Sequence, residues 1–180
     1  PDSVVTPCFL VELAFLNPRD IFAARVALPG TLGLSGDIAG LPQAVRERLR
    51  SHIAFYKKWR PLIANSVGHL LTPVHRKAER TGWAALQFQE PRDGASLVFA
   101  YRLDDGTRRR WFPLRGLRDD CRYLVSSDDL ADGETMALSG RQLMTDGLPV
   151  ELAERYNAEV FVVSPHSEAD REKSQRTYGK

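Results

Sequence analysis

The hydrophobic period of this chain changes once, near Asn65, and that change limits what it can fold into. Up to Asn65 the clearest element is Leu41–Asn65. Its apolar residues Val45, Leu49, Ile53, Tyr56 and Ile63 recur near one face of a 3.6-residue helix, while Arg46, Glu47, Arg50 and Lys57 fall mostly on the other. Pro42 suits the first helical turn, where its missing N–H costs nothing. Pro61 cannot donate to the carbonyl of Lys57 and predicts a kink or an early end. Beyond Asn65 the period falls to 2. Candidate strands are Val67–Thr72, Gly82–Phe88, Ser96–Leu103, Arg108–Leu114, Arg122–Ser126, Thr135–Leu138, Val150–Leu152 and Glu159–Ser164. Short strands at regular spacing with turns between them predict an antiparallel β-sandwich or barrel. Asp105-Gly106 is the strongest hairpin signal and predicts a type I′ turn pairing Ser96–Leu103 with Arg108–Leu114. The expected class is α+β, with the boundary near Asn65–Gly68.

Ahead of the helix, residues 1–40 alternate apolar runs with Pro and Gly. Ser3–Thr6 is a short β-branched run stopped by Pro7, and Phe9–Leu16 is a second apolar run ended by Asn17-Pro18. Runs of this kind read as buried parallel strands. Asp20–Leu28 has helical spacing, Pro29-Gly30 stops it, and Thr31–Leu34 follows as a brief strand. The tail Ser167–Lys180 is almost wholly polar and is expected to be disordered.

Composition excludes several function classes. Lys plus Arg is 25 and Asp plus Glu is 23, so the net charge of +2 implies no strong electrostatic partner such as nucleic acid. No apolar run reaches the roughly 18 residues of a membrane span, and no signal-peptide pattern is present. A cytoplasmic location is the default. Because the chain starts with Pro1, it is expected to be a processed or excised part of something longer. Cys8 and Cys121 form no metal pattern and no C-x-x-C motif, and are read as two reduced, half-buried thiols. His52, His69 and His75 do not fit metal-ligand spacing. No Gly-rich phosphate loop occurs, so neither a metal nor a cofactor is expected. Arg108-Arg109-Arg110 beside Trp111 reads as a solvated strand, because alternation splits the arginines and Asp104, Asp105, Asp119 and Asp120 lie close by. Trp59, Trp83, Trp111 and Tyr101 offer either a sugar-stacking platform or core and interface aromatics, with the second favoured.

An ordered set of motifs carries a family resemblance. Gly30-Thr-Leu-Gly-Leu-Ser-Gly-Asp-Ile38 is followed by a helix with Phe55-Tyr56-Lys57 and Arg60. Phe112-Pro-Leu-Arg-Gly-Leu117 precedes a strand with Tyr123. Leu138-Ser-Gly-Arg-Gln-Leu-Met-Thr-Asp-Gly-Leu148 comes near the end. At the front, Ser3–Pro7 is similar to a strand ending in Tyr-Pro-Pro, and Asn17 with Arg25 to a Pro-Asn-x-x-x-x-Arg region. Together these resemble the last part of glycoside hydrolase family 36, the α-galactosidases, over roughly residues 1–164. Each motif alone is weak; their order makes the resemblance strong. It implies that residues 1–65 are the last βα units of a catalytic (β/α)8 barrel, and that 66–166 form the family's C-terminal antiparallel β-sandwich.

The resemblance also implies a retaining mechanism with a carboxylate nucleophile on a Lys-x-Asp strand and a second carboxylate as acid/base. Neither motif is present. Lys58-Trp59 is followed by Arg60, and the family's acid/base residue would lie upstream of Pro1, so no catalytic residue carries over. Three departures mark a divergent branch whose substrate can differ from a simple α-galactoside. Val11-Glu12-Leu13 stands where the family has a His-Val pair, Leu34-Ser35 where it has Tyr-Glu, and Pro61 is inserted. Barrel sites sit at the C-terminal ends of strands, which makes Cys8, Glu12 and Ser35 the candidate substrate-wall residues. Glu12 reads either as a sugar contact or as an ion-pair partner of Arg19 or Arg25. Asp37 reads either as a substrate-orienting group or, by preference, as a helix cap.

The expectation is therefore the C-terminal part of an α-galactosidase-like hydrolase. It scaffolds the barrel, is inactive alone and meets an α-galactoside only through its parent. Two other readings stay open. A carbohydrate-binding module predicts sugar affinity and an exposed aromatic row. A structural or homo-oligomerisation domain predicts a large apolar patch, formed by residues 1–40.

Overall fold

The computed structural model describes residues 8–12, 18–35, 38–73, 82–92, 94–127 and 135–166. The expectations for Ser3–Thr6, for Asp37 as a substrate group or a helix cap, for His75 and for the tail Ser167–Lys180 lie outside them. The chain is mixed α and β, and most of its strands pair antiparallel. It opens with strand β1 (Cys8–Glu12), helix α1 (Pro18–Ala27) and strand β2 (Thr31–Ser35). β1 and β2 pair in parallel as a two-stranded sheet of their own. Helix α2 (Gln43–Asn65) follows.

Pro61 does not end α2. It is exposed, so water can reach the Lys57 carbonyl that loses its donor. The last turn is closed by side chains instead: Asn65 Nδ2 donates to the Pro61 carbonyl at 2.7 Å and Ser66 Oγ to that of Leu62 at 2.5 Å. At the other end the N-cap is Pro42, whose carbonyl accepts from Val45 and Arg46. The apolar face is also broader than expected. Phe55, Trp59 and Leu62 form a second stripe beside Leu49, Ile53, Tyr56 and Ile63, and the only buried residues of α2 are Leu49 and Phe55.

Beyond α2 lies a six-stranded sheet in the order β3 (Val67–Leu70), β4 (Trp83–Gln89), β5 (Ser96–Arg102), β10 (Asn157–Pro165), β7 (Arg122–Ser127), β8 (Thr135–Ser139). Every neighbouring pair in it is antiparallel. The last strand, β10, enters between β5 and β7 and so ties the two halves together. A two-stranded ribbon, β6 (Arg109–Phe112) with β9 (Leu148–Glu151), covers one face. Helix α3 (Gly140–Thr145) links β8 to β9.

The expected hairpin across Asp105-Gly106 does not form. β5 pairs with β4 and β10, while β6 pairs with β9. Neither Asp105 nor Gly106 has the positive φ that a type I′ turn requires. The loop is held another way. The Asp105 carboxylate accepts from the Thr107 N–H at 2.7 Å, and buried Arg102 donates to the Asp105 carbonyl at 3.1 and 2.6 Å and to the Leu152 and Ala153 carbonyls at 2.7 and 2.8 Å. Arg102 thereby anchors the loop to the end of the ribbon and not to a hairpin partner.

Two apolar clusters flank the large sheet. The ribbon side holds Trp83, Val98, Phe112, Leu114, Tyr123, Val125, Leu143, Leu148, Phe161 and Val163. The helix side holds Leu28, Phe55, Leu97, Phe99, Tyr101 and Val160, with α1 and α2 packed on them. Because both faces are covered, every residue of β5 is buried, and its Ser-Leu-Val-Phe-Ala-Tyr-Arg run does not alternate. The expected antiparallel strands are present, as one six-stranded sheet with a two-stranded ribbon on one face and two helices on the other.

Candidate functional site

The only parallel strands among the described residues are β1 and β2, joined by α1, which packs on β1 and on β10. Their register pairs Cys8 with Thr31 and Glu12 with Ser35. Glu12 and Ser35 therefore stand side by side at the C-terminal ends of the two strands. Cys8 does not join them. Cys8 is the first described residue of β1, and four residues of extended chain place it about 13 Å from Glu12, toward the N-terminal side of the pair. Two of the three candidate wall residues share an edge, and the third lies at the opposite end.

The aromatic platform is not assembled. Trp83 is fully buried and packs on Phe112 with ring centroids 5.9 Å apart, its indole donating to the Thr107 carbonyl at 3.1 Å. Tyr101 is buried on the opposite face of the sheet. Trp59 is half-buried on α2. Trp111 is 51% exposed on the ribbon, with the Arg109 guanidinium 5.0 Å from its ring centre. Arg108, Arg109 and Arg110 are all exposed, as a solvated strand requires. Cys121 is a free, half-buried thiol. Among the described residues no group of three His, Cys, Asp or Glu is placed to hold a metal, and no helix is long and apolar enough to cross a membrane.

One concave feature escaped the sequence reading. A groove of about 640 Å³ runs between α2 and the outer face of the large sheet. Ser51, Ala54, Phe55, Lys58 and Trp59 line it from the helix, and Ser126, Ser127, Val162 and Ser164 from β7 and β10. These residues come from three segments far apart in sequence, and no motif joins them.

The motif residues turn out to be structural. Ser139 caps α3 by accepting from the Gln142 N–H at 3.1 Å, and the Gln142 side chain returns a bond to the Ser139 N–H at 3.0 Å. A Cβ on Gly140 would collide with the Arg118 carbonyl, and one on Gly147 would stand 2.8 Å from the Phe112 backbone. Leu143 and Leu148 are fully buried. In the other motif, Leu114 and Leu117 enter the same cluster on either side of Gly116, which has φ +69°. Both motifs seat the ribbon on the sheet.

Comparison with known proteins agrees with this arrangement. Residues 83–163 match the sequence profile of the glycosyl hydrolase family 36 C-terminal domain. No curated protein matches the chain in sequence. Among solved structures, the galactosidase domain of the α-galactosidase–sucrose kinase AgaSK superposes with a TM-score of 0.68 at 23% identity, over 88% of this chain and 21% of that one. The α-galactosidase from Lactobacillus brevis gives 0.66 at 22% identity, over 81% of this chain and 20% of that one. A variant of the α-galactosidase AgaA from Geobacillus stearothermophilus, in complex with raffinose, gives 0.65 at 19% identity, over 80% and 19%. Likeness at this identity shows a shared fold. The chain spans about a fifth of the length of these proteins.

Proposed function

From the premise that residues 83–163 are a glycosyl hydrolase family 36 C-terminal domain, we propose that the chain is the C-terminal part of an α-galactosidase-like hydrolase. On this reading residues 1–65 are the last βα units of the catalytic (β/α)8 barrel, residues 66–166 are the β-domain that buttresses it, and 167–180 are a polar tail. The observation that carries the reading is the parallel pair β1–β2, which stands apart from the antiparallel sheet and leads through α2 into it. Two parallel strands with one helix cannot close a barrel, which takes eight. They make sense as the last segment of one, continued by strands outside this chain.

The substrate class follows from the same reading. An α-galactoside is bound by the assembled barrel, and raffinose in the Geobacillus complex is the kind of sugar meant. Hydrolysis is retaining, with the nucleophile and the acid/base carboxylate supplied from the rest of the barrel. Glu12 and Ser35, side by side at the strand ends, form part of the site wall. The present chain then scaffolds and does not catalyse.

The test is hydrolysis of a chromogenic α-galactoside by this chain and by the protein extended upstream through a complete barrel. Turnover in the extended protein alone supports the proposal. Turnover by the short chain overturns the scaffold role and directs the search to Glu12, Asp20 and Asp37. Absence of turnover in both overturns the assigned substrate.

A further inference from the structure

Helix α1 joins the parallel pair to the large sheet, since it packs on β1, on β2 and on β10. Ala24 and Ala27 are buried on one side of it, and such small side chains let a neighbouring backbone approach closely. Phe22, Arg25 and, just past the helix end, Leu28 are spaced three apart and meet the sheet. The Phe22 ring stands edge-on to Tyr101 and Tyr156, with centroids 6.0 and 6.5 Å apart. Leu28 enters the apolar cluster with Leu97, Phe99 and Tyr101. Between these two apolar contacts stands Arg25, only 2% exposed.

A buried guanidinium is costly, and a well-packed apolar residue of similar volume often costs less. Arg25 adds what apolar packing cannot, which is direction. Its Nη1 donates to the Ala158 carbonyl of β10, and its own backbone carbonyl accepts from the Tyr101 hydroxyl of β5 at 3.0 Å. β7 lies beside β10 only from Phe161 onward, so the guanidinium supplies a donor to β10 before that neighbour begins. Apolar contacts are non-directional and tolerate sliding; the two bonds hold α1 to one place on β5 and β10. From Arg25 the chain turns between Ala27 and Gly30 and enters β2 at Thr31. Four extended residues, about 13 Å, then carry it to Ser35 beside Glu12. We infer that Arg25 is a positioning residue, which sets where the Glu12–Ser35 edge stands against the large sheet. Its service to a substrate rests on the proposed function; its hold on β2 does not.

Two readouts separate these. Hydrogen exchange of the 180-residue chain compares Thr31–Ser35 with Ser96–Arg102. Turnover of a chromogenic α-galactoside is measured in the protein extended through a complete barrel. Arg25→Met keeps the apolar stem and removes every donor. It is expected to speed exchange at Thr31–Ser35 about tenfold more than at Ser96–Arg102, and to raise KM about fivefold with kcat within about twofold. Arg25→Lys keeps a cationic donor and should reverse most of both changes. Equal acceleration of the two segments overturns the inference, because it marks a general loss of stability. An unchanged KM in an active extended protein also overturns it, as does a Lys variant no better than Met, or a Thr31–Ser35 segment already unprotected in the unaltered chain. If Arg25→Met does not fold, Tyr101→Phe, which removes only the bond to the Arg25 carbonyl, must show the same selective acceleration, by about threefold; its absence overturns the inference. An unaltered extended protein without turnover overturns the enzyme reading, and the exchange ratio then decides for or against the hold of Arg25 on β2.

Discussion

The side chain of Gln87 and the backbone of Arg115 hydrogen-bond to each other in both directions. The amide oxygen of Gln87 accepts from the Arg115 N–H at 2.8 Å, and its nitrogen donates to the Arg115 carbonyl at 2.9 Å. Gln87 is fully buried, and its nitrogen also reaches Ser96 Oγ at 3.1 Å. A side chain here does what a neighbouring strand would do, and it fixes the turn after the ribbon strand β6 to the sheet. Gln87→Leu leaves both backbone groups of Arg115 without their partners at a partly buried site. A loss of about 1–3 kcal/mol is expected, from one or two partly buried groups left without partners. Urea unfolding of the variant measures it, and an unchanged midpoint would show that water replaces the amide.

Gly147 sets the second anchor of the ribbon. It has φ +92°, and a Cβ would stand 2.8 and 2.9 Å from the backbone of Phe112. Gly147→Ala therefore meets backbone strain and a clash that no side-chain rotation relieves. The cost should exceed about 2 kcal/mol. Gly106→Ala provides the control: no atom lies within 4 Å of its added Cβ and its φ is not positive, so its stability should stay within about 0.5 kcal/mol of the parent.

What the sequence made legible divides along the same lines. Helix α2 and strands such as Ser96–Arg102 were readable because each declares itself within its own window by period and residue type. Pairing was not. Asp105-Gly106 gave a local hairpin signal, but the Arg102 guanidinium and the Asp105 carboxylate hold that loop open, and β6 pairs with β9 some forty residues later. Burial of Trp83 and exposure of Trp111 were equally hidden, since both depend on which face the ribbon covers. Of the wall candidates, Glu12 and Ser35 came from strand ends and lie together. Cys8 follows the strand expected at Ser3–Thr6, which lies outside the described residues; in the described register it stands four positions before Glu12. The groove had no signature, because its hydroxyls come from three separate elements.

Tyr101 gives the chain an alkaline limit. Burial pushes its phenol well above the ordinary value of 10.0, against a smaller lowering effect of the nearby Arg25 charge. Its hydroxyl donates to the Arg25 carbonyl at 3.0 Å, and the buried Arg25 guanidinium donates to the Ala158 carbonyl, so the pair joins α1 to β5 and β10. A raised folded pKa means that the neutral phenol is favoured by folding. Its contribution is fully present below pH 10 and is lost as the pH rises toward the folded value. Stability measured from pH 8 to 11.5 should fall above about pH 10. Tyr101→Phe should flatten part of that fall. Burial also raises the phenol of Tyr123, so a residual slope will remain. At neutral pH the same variant should cost about 1 kcal/mol for the lost hydrogen bond. An identical alkaline slope in Tyr101→Phe would show that the phenol is not the responsible group.

The strand register separates Glu12 and Ser35 from Cys8, and this gives a contrast that activity can read. If the parallel pair belongs to a barrel, the two residues at its C-terminal edge face the site and the residue at its N-terminal edge does not. In the protein extended through a complete barrel, Glu12→Gln and Ser35→Ala should each raise KM about fivefold to tenfold, corresponding to roughly 1 kcal/mol of binding. Neither should reduce kcat comparably, since uniform binding appears in KM and not in kcat. Cys8→Ser should leave both constants unchanged. A reversed pattern, with Cys8 sensitive and Glu12 silent, would place the site at the other end of the strands. It would contradict the barrel assignment of residues 1–65, while leaving untouched the match of residues 83–163 to the family 36 C-terminal domain profile.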